Sequence, residues 1–421
     1  MTSGFDRAPV VVAIGLLAAI IAGAAATVNP KIALVVALVL LALALAALAR
    51  RAILPWAAFV LVAMAGVTLP GLRIPLGDAG AALALVLCIG QRPPEPTRLP
   101  QAMKVLLGLL VLGTAAAAAV DAPPASGAAK RVVHIALFAL LVAALASGRI
   151  RQFNLVRGIV IGLSLGLLSG LAGLAGVSSL NHYAHRLTGF FGDPNVASLV
   201  TVCLGMVVLH YMKGRQHRQL VMGLMIVIVA LTLSRTGALA LVLALLWLLL
   251  VHRLPRSVGV GLIVVAIITA LLLPANLQTF GPFQIHVSSD HLRALIDQAS
   301  FTDLRQHFLT GTGPGTAYIT IVNGEQFFFH NSFYAIVAEL GLFGAVPYLF
   351  LAVFTATKLF ATRPRSPELE AAFLGIMVMA LTLGEVLLTL TAAVVIGAAW
   401  RHILLSARLR EPRMANILEP V

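Results

Sequence analysis

His330 is the residue best placed to do chemistry. It closes a polar stretch and stands directly before a long apolar run. A helix opening at that point presents partial positive charge to the ring. That disfavours the imidazolium and keeps the ring neutral near physiological pH. A neutral imidazole accepts a proton, so His330 is a candidate general base; the plainer alternative is an interfacial histidine capping the helix. Three arginines are the next candidates. Arg235 sits in Leu233-Ser-Arg-Thr-Gly237, a polar break between two apolar runs, with no acid nearby in sequence. Arg293 and Arg186 lie in the two longer polar segments. Guanidinium groups grip phosphate oxygens in a forked, bidentate way, so three of them could hold a diphosphate. The plainer readings are a surface pair of Arg293 with Asp297 or Asp290, and a loop anchor for Arg186. Glu339, inside an apolar run, is expected to pair with an arginine. Glu385 marks a turn between two runs.

The elements that must carry these residues follow from composition. The chain has 421 residues, 60% hydrophobic and 10% charged, with a mean hydropathy of +1.01. A soluble domain is about 45–50% apolar and about 25% charged, so this apolar surplus exceeds what one soluble core can hide. The numbers exclude disorder, a coiled coil and a disulfide scaffold, and leave a polytopic membrane protein. Apolar runs such as 33–49 and 238–251 are continuous rather than alternating, and rich in Leu and Ala. That is the pattern of helices, which satisfy their own backbone in lipid, and not of a membrane barrel. Runs at 8–28, 32–49, 52–69, 75–91, 102–121, 131–147, 155–177, 194–212, 219–234, 236–252, 257–275, 331–357, 369–384 and 386–405 predict an all-α bundle of about 12 (12–14) transmembrane helices. The first run is too long for a signal-peptide core and is expected to be a retained span. Cys88 and Cys203 lie inside apolar runs and are read as small core residues.

Orientation follows from the basic residues. With a cytoplasmic N-terminus, 21 of the 29 Lys and Arg fall on the cytoplasmic side. The other eight are Lys31, Arg73, Lys130, Arg131, Arg186, Arg235, Arg293 and Arg305. The asymmetry accounts for most of the +14 net charge without a nucleic-acid partner. Lys31, Arg73, Lys130 and Arg131 have no neighbouring chemistry and are read as interface anchors.

Two outer segments exceed a turn: residues 178–193, and the large hydrophilic stretch 276–330. Helical spacing of Leu292, Leu295, Ile296 and Ala299 after Ser288, Ser289 and Asp290 predicts a short amphipathic helix over 290–308. Gly311-Thr-Gly-Pro-Gly315 predicts a tight turn rather than an anion-binding nest. His286, His291 and His307 lack a matching set of ligands, so no metal or other cofactor is expected. There is no nucleotide-binding fingerprint. The chain divides into an N-terminal bundle (1–275), a large loop (276–330), and C-terminal helices with a tail (331–421).

One spacing is specific. His330-Asn331, nine residues, then Gly341-Leu-Phe-Gly344 reads H-N-x9-G-x-x-G. It resembles the motif of the O-antigen ligase family, with Ala345 as a slight departure. Arg293 followed by Gly311-Thr-Gly-Pro-Gly315, Leu233-Ser-Arg-Thr-Gly237, and Arg186-x-x-Gly189 through Pro194-Asn195 also resemble segments of the wider ligase and polymerase superfamily. The resemblance implies about a dozen spans with a large periplasmic loop containing short helices, in the bacterial inner membrane, with cytoplasmic termini. It implies a metal-independent glycosyltransferase that moves O-antigen from an undecaprenyl diphosphate donor onto the lipid A core oligosaccharide. Carried over, His330 is the base, Arg235 and Arg293 bind the diphosphate together with Arg186, and Asn331, Gly341 and Gly344 support the motif. Both substrates are lipid-anchored, so the site needs a cleft open to membrane lipids, which the loop helix and the phenylalanines at 190–191 and 327–329 could line. The nearest alternatives are an O-antigen polymerase and a protein O-oligosaccharyltransferase. A transporter would place charge networks near the midplane, whereas here the polar chemistry gathers on one face.

Overall fold

The computed structural model describes residues 54–64, 66–68, 75–88, 97–120, 126–177, 183, 185–253, 255, 257, 261, 287–320 and 326–410. The expected spans at 8–28 and 32–49 lie outside these residues, as does most of 257–275.

Twelve α-helices and one small hairpin make up the described residues. In chain order they are α1 (Leu54–Ala63), α2 (Leu76–Cys88), α3 (Gln101–Val120), α4 (Ser126–Ala146), α5 (Gln152–Leu174), α6 (Pro194–Tyr211), α7 (Arg215–Thr232), α8 (Arg235–Leu250) and α9 (Val287–Gln306). Strands β1 (Tyr318–Thr320) and β2 (Gln326–Phe328) follow, then α10 (Ser332–Ala361), α11 (Pro367–Ala380) and α12 (Leu390–Arg408). Every apolar run within the described residues forms a helix. Six of them, α3, α4, α5, α6, α10 and α12, are long and apolar enough to cross a membrane. The chain is therefore a multi-pass helical membrane protein. The expected number of about 12 crossings is not reproduced among the described residues. Three of the expected spans lie largely outside the described residues, and α8, with 16 residues, rises about 24 Å against a hydrocarbon layer of about 30 Å.

Packing centres on α6 and α12, whose side chains are largely buried. α11 lies against both α6 and α8, α12 against α4, and α1 against α2 and α5. Close approach of α1 to α5 depends on small residues: a Cβ at Gly158 would stand 2.3 Å from the Trp56 carbonyl oxygen. Both cysteines are buried, as expected.

Helix starts are set by short polar residues. Asp193, Ser234, Asn331, Ser366 and Thr389 each accept backbone N–H bonds at the head of α6, α8, α10, α11 and α12. The loop helix α9 is helical from the first described residue, Val287, so residues 288–290 lie within the helix rather than at a cap. It packs on α10 through a second, smaller core of Ile296, Leu304, Ala317, Ile319, Phe329, Ala335 and Ala338. The hairpin pairs Tyr318 with Phe328 and Thr320 with Gln326. It forms from aromatic and β-branched residues in a segment expected to hold helices only.

α10 is broken. Gly341 has φ 64° and ψ 177°, a conformation essentially confined to glycine. The break frees backbone groups that an intact helix would pair internally. The segment after α9 supplies the replacements. Thr312 N–H donates to the Ala338 carbonyl at 2.7 Å, Gly313 N–H to that of Glu339 at 3.0 Å, and Leu342 N–H to that of Phe308 at 2.8 Å. The Gly311-Thr-Gly-Pro-Gly315 turn is thus a plug stitched into the helix break, in keeping with a turn.

Candidate active site

The site assembles where the heads of α6, α8 and α10 meet. α7 ends at Thr232, whose carbonyl accepts from Arg186 Nε at 2.9 Å. Leu187 N–H meets the preceding Leu231 carbonyl at 2.9 Å. These bonds satisfy carbonyls that a helix end leaves over, and they fix Arg186 in a buried position. Leu233 then takes a left-handed turn (φ 49°) and Ser234 caps α8. Arg235 is the first residue of α8. A cation there adds to the positive end of the helix dipole, and the two together attract an anion.

Asp193 caps α6, accepting from Asn195 N–H at 2.7 Å and Val196 N–H at 3.1 Å. Asn195 in turn accepts from Ser234 Oγ at 2.8 Å, tying the heads of α6 and α8 together. The Tyr183 hydroxyl hydrogen-bonds Asp193, and Arg186 lies 5.8 Å over the Tyr183 ring. On the third side, Asn331 caps α10 and donates to the Leu381 carbonyl at 3.3 Å. Ser332 Oγ donates to the Leu383 carbonyl and accepts from Val386 N–H. Thr382 Oγ1 reaches Thr236 Oγ1 at 3.0 Å. One turn, 381–386, therefore links the residues that follow His330 to the residue that follows Arg235.

Electrostatics bring the nominated residues into one neighbourhood. Burial lowers the His330 pKa to about 4; Arg293 pushes the same way and Asp193 opposes. The ring is neutral at physiological pH, as the sequence predicts. The leading cause is burial rather than the helix head, because Asn331 fills the cap position and His330 lies one residue outside it. Burial also lowers Arg186 from its usual range. Asp193 and Tyr183 oppose that shift, and Arg293 and Arg235 reinforce it. Arg186 and His330 thus share the field of Asp193 and Arg293, and Arg235 acts on Arg186 as well, so residues from four separated stretches come into one neighbourhood. Asp297, behind Arg293, is raised by burial and lowered by that arginine.

Several expectations need correction. Phe191 and Phe329 are buried core residues and do not line a cleft. Phe190, Phe327 and Phe328 are partly exposed. Arg131 is no interface anchor: its Nε and Nη2 each lie 2.9 Å from an oxygen of the buried Glu339, and Nη1 lies 3.0 Å from Glu385. Glu339 pairs with an arginine as expected, and Glu385 lies in a turn. Gly341 and Gly344 serve the helix break, where a Cβ on Gly341 would stand 2.3 Å from the Leu309 carbonyl oxygen and one on Gly344 2.6 Å from Leu340 Cβ. Sequence reasoning missed Tyr183, and took Asp193 only as one of several outer acids. The Asp-Pro pair at 193–194 heading an apolar run is the signal for its cap. Also missed was His134, whose Nδ1 is 2.6 Å from Asp78 and whose Nε2 is 2.8 Å from the Leu388 carbonyl. Among the described residues, no three His, Cys, Asp or Glu side chains are grouped to hold a metal ion.

The fold and the site define a helical membrane protein with a cationic, histidine-bearing site at one end of its bundle. Residues 220–349 match the family model described as O-antigen ligase. The resemblance seen in H-N-x9-G-x-x-G is borne out over this segment, which runs from α7 through the plug to the broken part of α10. Over that segment the chain is similar to O-antigen ligases. No curated protein matches the chain.

Proposed function

We propose that the chain is an O-antigen ligase. It moves O-antigen glycan from undecaprenyl diphosphate onto the lipid A core oligosaccharide, at the periplasmic face of the inner membrane, with both termini in the cytoplasm. The observation that carries this reading is that Arg186 and a neutral His330 share the field of Asp193 and Arg293, with Arg235 acting on Arg186 as well. A lipid diphosphate brings its own leaving group, so a nucleotide site is not needed. His330 takes the proton of an acceptor hydroxyl as its oxygen attacks the anomeric carbon. The bond from that carbon to the phosphate oxygen breaks, and the configuration inverts. Arg186, Arg235, Arg293 and the head of α8 hold the charge that develops on the departing diphosphate. In this reading the cationic clamp is built from protein side chains and the transfer is metal-independent. The 21-to-eight split of basic residues supports the orientation.

The test is transfer in vitro with the purified protein, carrier-linked glycan and a panel of acceptors. Product on lipid A core is expected. Elongation of carrier-linked glycan instead would mark a polymerase, and product on a Ser or Thr of a pilin a protein oligosaccharyltransferase. In a deletion strain the lipopolysaccharide ladder should vanish while carrier-linked polymer accumulates; an intact ladder overturns the proposal.

A further inference from the structure

A second group of side chains flanks His330, with a chemistry unlike the arginine cluster. Burial alternates along the chain leaving β2: Phe329 is buried, while Phe328 and His330 are partly exposed on the other side. Two residues of extended chain place Phe328 within about 7 Å of His330, Cα to Cα. Tyr318, the cross-strand partner of Phe328, meets it edge to face with ring centroids 5.0 Å apart. Tyr318 is 49% exposed. The next strap passes directly beneath: a Cβ on Gly384 would stand 2.5 Å from the Phe328 ring. Glu385 is the next residue in the chain. Its carboxylate is also about half exposed, and one oxygen is held by Arg131 at 3.0 Å. Among the described residues its second oxygen makes no hydrogen bond. Tyr318 is raised by burial and further by Glu385, so the two groups share one neighbourhood.

We propose that Tyr318, Phe328 and Glu385 form the subsite for the acceptor sugar, resting on the transferase reading above. A pyranose ring has an apolar C–H face and an edge of hydroxyls. The exposed aromatic pair fits the first, and a carboxylate fixed by a buried arginine accepts from the second. Charge selects the occupant. Glu385 and the nearby Glu339 repel a phosphate, whereas the arginine cluster attracts one. A neutral, hydroxyl-rich ring is thereby sorted to one side of His330 and the diphosphate to the other, which brings a hydroxyl to the base.

The experiment uses the full-length protein in detergent. Initial rates are measured against varied acceptor and varied donor for Tyr318→Ala, Tyr318→Phe and Glu385→Gln. Tyr318→Ala should raise the acceptor KM roughly 3- to 10-fold, the size of a lost aromatic contact. The donor KM should stay unchanged. Tyr318→Phe should keep most of the contact, and Glu385→Gln should raise the acceptor KM as well. In parallel, deacylated core oligosaccharide is titrated against wild type and Tyr318→Ala by saturation-transfer NMR, with no donor present. Binding lost in Tyr318→Ala supports the subsite even if the wild type transfers nothing, in which case only the ligase reading falls. Normal transfer with an unchanged acceptor KM in Tyr318→Ala, or a rise in the donor KM instead, overturns the subsite and leaves the ligase reading standing. Neither transfer nor oligosaccharide binding by the wild type overturns both.

Discussion

Two clusters of charge occupy the same end of this bundle and use the same cation in opposite ways. Around Arg186 two more guanidiniums share the neighbourhood, and Arg186 is lowered by burial with Arg293 and Arg235 adding to the cost. Around Arg131 one guanidinium meets two carboxylates, Glu339 and Glu385, at 2.9–3.0 Å. The second cluster pairs its cation within the fold. A buried pair with good geometry holds its parts in place, and it does so where α10 breaks and the strap turns. The first concentrates like charge at a helix head, an arrangement that an arriving anion would stabilise. The lesson is that an arginine on the outer side cannot be read from its type. The acids that the fold brings to it decide whether it is scaffold or ligand site.

The comparison can be broken by substitution, beginning with the largest effect. His330→Ala should lower turnover by about 10²–10⁴ while leaving donor binding and thermal unfolding nearly unchanged. Near-normal turnover would remove the base from the first cluster. Glu339→Ala should act on folding: loss of one partner of a buried pair costs about 3–5 kcal/mol, read as a lower midpoint of unfolding in detergent. An unchanged midpoint would show that the second cluster is not scaffold. Arg235→Lys and Arg293→Lys should leave stability alone and raise the donor KM about tenfold, since an ammonium cannot reproduce a forked contact. Full activity of both would reduce the first cluster to mere positive charge. Gly341→Ala should destabilise by about 1–3 kcal/mol, because its conformation is open only to glycine and the added Cβ meets the Leu309 carbonyl.

The smallest effect is in pH. His330 has a folded value of about 4, below its ordinary 6.5. Between these values the unfolded chain binds the proton and the folded chain does not, so stability rises with pH through that window and falls as pH drops toward 4. The acid limb of kcat/KM should lie near 4 to 5, not near 6.5. Histidine NMR should show the His330 value moving upward in Arg293→Gln, since a lowering charge is gone, and downward in Asp193→Asn. A value unmoved by either change would separate His330 from the arginine cluster.

Much of this was legible in one dimension. Membrane character and helix positions follow from transfer free energy summed over continuous apolar runs, a quantity that local sequence carries in full. His330, Arg186, Arg235 and Arg293 stood out because a polar group beside such runs is costly without a function. What the sequence left open was pairing across long separations. Arg131 and Glu339 lie far apart in the chain, and nothing local to either foretells their bond. The two glycines of the motif looked like markers of a site, yet they shape a helix break whose backbone partners come from the plug after α9. Asp193 is at once a helix cap and the carboxylate that acts on both His330 and Arg186. Those assignments depend on which helix heads meet, and only the packing of the bundle decides that.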